Sequence, residues 1–193
     1  MFANFVCPVL SMGEEAQNKR LRQNPTTLFL VRHGDRWDFA NYDEWTSKAN
    51  KYGFNASDPP LSALGHQQAR EAAQFLSREE LDMILVSPYL RVLQTAQSLA
   101  HATGLPMNIE EGLAETHYHI DFVAGPGERF PFFPEVDVDY QPLLERASLI
   151  VEANGVEPFP SGYLQRMLRM AKLLPERFSG KTSFAFLMLL QSL

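Results

Sequence analysis

At 193 residues, with a hydrophobic share of 45% and 21% charged residues, the chain suits one domain with a proper core. Seventeen basic against 23 acidic residues leave a formal net charge of −6, which argues against a general nucleic-acid or anionic-membrane surface. Cys7 is the only cysteine, so no intrachain disulfide framework exists, and no run approaches the ~18 apolar residues of a membrane-spanning helix. The start lacks a basic n-region and Pro8 interrupts its short apolar stretch, so no secretory signal is read and a cytoplasmic or nuclear location is expected.

Residues 1–25 read as a disordered tail ending at the turn signal Asn24-Pro25, and 26–193 as the domain. The first buried strand is expected at 26–32. An aromatic-rich connection follows at 37–60, with Phe39, Tyr42, Trp45, Tyr52 and Phe54, too long for a structureless loop and expected to be a functional or partly helical insertion. Ser62 is a good N-cap for a helix to about Leu76, and 81–86 is the second strand. Ser87-Pro88 combines an N-cap with a proline at the first helical position. In the helix behind it Tyr89, Val92, Leu93, Ala96, Leu99 and Ala100 share one face, and Gly104 ends it.

A short strand is expected at 107–109. Periodicity is lost over 116–160, which holds Gly125-Pro126-Gly127, the cluster Phe130-Pro131-Phe132-Phe133-Pro134 and a helical piece near 143–153. Leu164, Met167, Leu168 and Ala171 form a helical stripe read as core and broken near Pro175, and 182–190 reads as a last buried strand. Alternating strands and helices with short links indicate an α/β domain, a mostly parallel central sheet flanked by helices.

Ligand sites in such folds lie at the carboxyl ends of the strands. There the first strand ends on Arg32-His33-Gly34, with Arg36 two residues on, and Arg91 sits in the first turn of the helix behind Ser87. Guanidinium groups grip phosphate oxygens through a rigid fork, and a helix N-terminus adds amides and a positive dipole end. A few such residues focused in one pocket outweigh a mildly acidic exterior. Three arginines and one histidine are thus expected to face one anion. Neighbouring cations disfavour the imidazolium, so His33 is expected to stay neutral and nucleophilic.

Glu115, after the third strand, is either an exposed loop carboxylate or an acid that protonates a leaving oxygen. His66 and His101 are expected at surface or boundary positions on helices. His117 and His119, beside Glu115 and Asp121, lack an identifiable third ligand, so no metal site is assigned.

At these residues the sequence resembles the histidine phosphatase superfamily, also called phosphoglycerate mutase-like, over most of 26–190. Leu30-Val31-Arg32-His33-Gly34 looks like its nucleophile motif. The segment from Pro60-Leu61-Ser62 through Gln68-Ala69 is similar to the one opening its first helix, and that from Val86-Ser87-Pro88 through Arg91 to Thr95-Ala96 resembles its second arginine motif. The resemblance implies phosphorylation of His33, Arg32 and Arg91 on the phosphoryl oxygens, and Glu115 as general acid. Arg36 and the aromatic insertion look like the eukaryotic protein-tyrosine-phosphatase-like branch. It implies no metal or organic cofactor and, as partner, a phosphorylated small molecule or phosphoprotein; the oligomeric state is not readable.

One departure stands out. The family's second catalytic histidine follows the last strand, but here 183–186 continues into Leu187-Met188-Leu189-Leu190 and no histidine follows. The C-terminus therefore reads as truncated or replaced, with later elements of the fold missing and activity impaired. The alternatives are a non-catalytic phosphate-binding module and a protein that binds partners through its aromatic stretches at 37–54 and 130–133.

Overall fold

The structure, a computed structural model, describes residues 3–5, 27–115, 131–145, 157–158, 160–178 and 183–188. The segment expected to be a disordered tail contributes β1 (Ala3–Phe5), paired antiparallel with β2 (Thr27–Arg32). The remaining strands are β3 (Met83–Val86), β4 (Met107–Ile109) and β5 (Ser183–Met188). Sheet order is β1-β2-β5-β3-β4, and the pairs β2–β5, β5–β3 and β3–β4 are parallel. This is the α/β architecture the element pattern indicates.

Register decides where the chemistry can gather. Arg32 pairs with Met188, Leu187 with both Val31 and Val86, and Val86 with Ile109, so four strands end at one rim. The chain leaves that rim through His33, Ser87 and Glu110. The last strand is an interior one, inserted between β2 and β3 and hydrogen-bonded on both sides.

β3 is buried on both faces, as its unbroken apolar run requires in a parallel sheet. Ile84 and Val86 pack with Leu76, Val92, Leu93, Ala96 and Leu99 from α3 (Ala63–Leu76) and α4 (Leu90–Thr103). Leu85 points the other way, into a cluster with Leu113, Leu144, Met170 and Phe178. The edge of β4 is covered by the chain around 131–137: Met107 donates to the Glu135 carbonyl and Asp137 to that of Met107. Phe133 of the aromatic–proline cluster is buried there, while Phe132 is exposed.

The 37–60 connection is partly helical, as its length suggested, with α1 (Trp37–Ala40) and α2 (Tyr42–Tyr52). An Arg36–Leu61 bridge clasps its two ends. Trp45 is its centre, edge-on to Trp37, stacked on Phe54 and donating Nε1–H to the Ala56 carbonyl. Gly53, at φ 72°, closes α2 in the left-handed conformation that suits glycine. α3 starts as expected, with Ser62 Oγ accepting from Gly65 N at 3.0 Å.

Four expectations are corrected. Ser87 is not the cap of α4: the helix begins at Leu90, whose N–H donates at 2.8 Å to Asp58 Oδ1, a carboxylate brought by the insertion. The last helix, α5 (Ser161–Arg177), runs through Pro175 rather than breaking there. Its inward residues are Gly162, Arg166 and Met170, while Leu164 and Leu168 are exposed. The hydrogen bonds that Arg166 donates and the packing of Met170, Leu173 and Leu174 into the Leu85 cluster go with that rotation. Of the helical piece expected near 143–153, Leu143–Glu145 are not helical and the rest lies outside the described residues.

Because Leu85 is fully buried between strand neighbours and the α5 side, Leu85→Ala should lower the unfolding free energy by about 2–5 kcal/mol. A urea titration followed by circular dichroism reads this as a reduced midpoint.

Candidate active site

His33 leaves β2 at the rim and is buried. Its Nδ1 lies 2.6 Å from the Gly34 carbonyl, which can only accept, so Nδ1 carries the proton and Nε2 keeps a free lone pair. Burial pushes the imidazole down to about 4, and Arg91, Arg32 and Arg36 add to that shift against the opposing Gly34 hydrogen bond. The ring is neutral as expected, but desolvation rather than the arginines is the larger cause.

The loop behind the ring is fixed by backbone contact. A Cβ on Gly34 would lie 2.4 Å from the Gly65 carbonyl oxygen, and one on Gly65 would lie 2.2 Å from that of Asp35. Two glycines are therefore required where this loop crosses the first turn of α3. Asp35 N donates to Gln68 Oε1, Ser62 N to the Asp35 carbonyl, and Ser62 Oγ to Asp35 Oδ2. On the other side Gly34 N donates to Thr95 Oγ1, which donates to the Arg91 carbonyl. Thr95 thus joins the histidine loop to the helix that carries Arg91.

Arg91 is 1% exposed. Nη2 donates to Glu115 Oε2 at 2.9 Å, Nη1 lies 3.5 Å from Asp58 Oδ1, and the guanidinium covers the Tyr89 ring. Nε and Nη1 have no hydrogen-bond partner among the described residues, nor does the buried Ser87 hydroxyl at the end of β3. Buried donors are rarely left unsatisfied, so these mark a position suited to an anion. Burial, then the charge of Arg36, weakens the hold of Arg91 on its proton, but guanidinium stays charged in proteins.

The other cations differ from Arg91 in exposure and partners. Arg32 is exposed. Arg36 forks onto Asp38 through Nε at 2.9 Å and Nη2 at 2.6 Å, and lies over the Phe39 ring. Both still bear on His33 through space. The leading N–H of α4, expected to face a ligand, is taken by Asp58. Arg36 and Arg91 thus meet three carboxylates, Asp38, Asp58 and Glu115, within the site itself.

Glu115 is brought to the rim by the turn after β4, Glu111–Leu113, which two buried residues hold. Glu110 accepts from Gly112 N and Leu144 N on Oε1, and from Leu143 N and the Tyr140 hydroxyl on Oε2. Burial still leaves its carboxyl above the ordinary range. Arg166 takes the carbonyls: Nη1 donates to Gly112 and Ala114, Nη2 to Glu115. Asp58, Thr95, Glu110, Glu157 and Arg166 were not singled out from sequence. Only Thr95 lay within a recognisable motif.

His66 is half-buried and His101 exposed, as expected for helix-surface positions. His117, His119 and Asp121 lie outside the described residues. Among the described residues, no group of three His, Cys, Asp or Glu side chains is placed to hold a metal ion, and no helix is long and apolar enough to cross a membrane.

Residues 28–121 match the family description of the histidine phosphatase superfamily (branch 1). Phosphoserine phosphatase 1 from Hydrogenobacter thermophilus is 39% identical over 88 residues, covering 46% of this chain and 37% of that protein. A probable phosphoglycerate mutase GpmB from Serratia proteamaculans is 34% identical over 90 residues, covering 47% of this chain and 38% of that one. The chain therefore spans well under half the length of these curated relatives. The fold matches the ecdysone phosphate phosphatase from Bombix mori in complex with tungstate, at TM-score 0.62 and 20% identity over 83% of this chain and 71% of that one. The matched segment is thus similar to histidine phosphatases and phosphoglycerate mutases.

Two outcomes are expected from this geometry. Gly65→Ala forces the Asp35 loop away from α3, so it should lower Tm measured by scanning calorimetry. His33 binds its proton at about 4 in the folded state against 6.5 for an ordinary imidazole, so the unfolded chain is the better proton acceptor between those values. Its contribution to stability is intact above pH 6.5 and is lost as pH falls toward 4. The Tm of the wild type should drop more across that window than that of His33→Gln.

Proposed function

We propose that this domain hydrolyses a phosphomonoester through a phosphohistidine on His33. The observation that carries the reading is the state of that ring: neutral, with Nδ1–H given to the Gly34 carbonyl and Nε2 free. The match of residues 28–121 to the superfamily supports it.

In the first step Nε2 attacks phosphorus, the bond to the substrate oxygen breaks, and Glu115 gives its proton to that oxygen as the alcohol leaves. In the second, water attacks the phosphohistidine, the N–P bond breaks, and the Glu115 carboxylate takes the water proton. Inorganic phosphate then departs and both residues are restored. Arg91 Nε and Nη1, with Arg32 and Arg36, bind the phosphoryl oxygens; Arg36 must share its fork with Asp38. Charge grows on these oxygens during transfer, which is where fixed guanidinium donors contribute most.

The substrate is a phosphorylated small molecule or phosphoprotein. Arg36 and the aromatic insertion favour the protein-tyrosine-phosphatase-like branch.

Hydrolysis of p-nitrophenyl phosphate by the wild type, and its loss in His33→Ala, tests the proposal. Arg91→Ala should cost about 10²–10³ in kcat/KM. The acid limb of kcat/KM should fall near pH 4 rather than 6.5, because His33 must be neutral to attack. Phosphate-dependent thermal stabilisation without turnover, in wild type as in His33→Ala, would reject catalysis and select the phosphate-binding reading.

A further inference from the structure

We propose that Arg166, held by Glu157, is a positioning residue that sets the aim of the Glu115 carboxyl; this rests on the phosphatase reading above. A guanidinium has five N–H donors, and all five of Arg166 are used. Nε and one Nη2 donor go to the two oxygens of Glu157, at 2.7 and 2.8 Å. The other three go to the carbonyls of Gly112, Ala114 and Glu115, at 2.8, 2.7 and 2.7 Å. Two of those carbonyls flank the Cα of Glu115, so the backbone that carries the acid cannot rotate without breaking them.

Both arginines are buried, yet Arg91 leaves Nε and Nη1 unbonded at the rim while Arg166 leaves nothing for a ligand. Glu157 cancels the charge of Arg166 through both oxygens, so the clamp fixes direction without placing an unbalanced cation beside the acid. Packing alone does not explain this arrangement. α5 turns a charged residue inward while Leu164 and Leu168 stay exposed, and hydrophobic replacements of a buried ion pair are often no less stable. Lysine, with three donors on a tetrahedral head, cannot reproduce the planar set of five.

A leaving-group comparison separates aiming from support. p-Nitrophenoxide departs without protonation, whereas the alkoxide of glycerol 2-phosphate needs the acid, and kcat/KM reports the transition state of first transfer for each. Arg166→Lys and Glu157→Gln are assayed on both substrates beside Glu115→Gln, at a temperature where circular dichroism shows each variant folded. Expected is a fall of about tenfold or more on glycerol 2-phosphate, with p-nitrophenyl phosphate changed less than about threefold, the same pattern as Glu115→Gln. Equal losses on both substrates, or no loss on either, would overturn the clamp and leave the phosphatase reading standing. If both variants fail to fold, the pair is a stability element and the inference falls. Wild-type enzyme inert on both substrates would overturn the phosphatase reading and the clamp with it.

Discussion

Three stretches of chain meet around the buried Arg91 guanidinium. Asp58 comes from the insertion, Glu115 from the turn after β4, and Tyr89 from the junction ahead of α4. Removing an isolated cation from water costs several kcal/mol, and such a side chain persists only where opposite charge and hydrogen bonds compensate. Asp58 and Glu115 provide that charge, but their geometry satisfies only part of the guanidinium. The unsatisfied remainder lies on the same strand rim as His33. An incoming phosphate dianion, on the proposed reading, completes a set of contacts that the protein leaves open.

The same constraint explains why the neighbouring cations are not simply free. Arginines close together repel one another, and internal carboxylates relieve that cost before any ligand arrives. Asp58 does two things at once, accepting the Leu90 amide and approaching Arg91, so the N-terminus of α4 already has its anion. The insertion is thus structural support for the arginine as well as an aromatic surface.

The turn that leads to Glu115 is held by complementary partners. Glu110 accepts the Gly112 amide and ties in that of Leu144, and Arg166 donates to the Gly112 and Ala114 carbonyls, so a short irregular segment is held by buried charged side chains instead of a ladder. Local chain preference alone would leave such a turn loose. Its rigidity comes from α5 and the 140–144 stretch, which are distant in sequence.

What the sequence determined by itself was local and periodic. The apolar run ending at Arg32-His33-Gly34, the Ser62 cap, the buried face of α4 and its stop at Gly104 follow from side-chain alternation, helical spacing, capping chemistry and a left-handed glycine. The resemblance of the segments around His33 and Arg91 to histidine phosphatase motifs put these two residues, with Glu115 after β4, in one expected site. Tertiary structure decided whatever needed a partner far along the chain: β5 entering the middle of the sheet, Asp58 displacing Ser87 as the cap of α4, and Arg166 turning inward where leucine periodicity pointed elsewhere. A buried charge obeys its counter-ion and acceptors, and these came from segments whose proximity no spacing along the chain encodes.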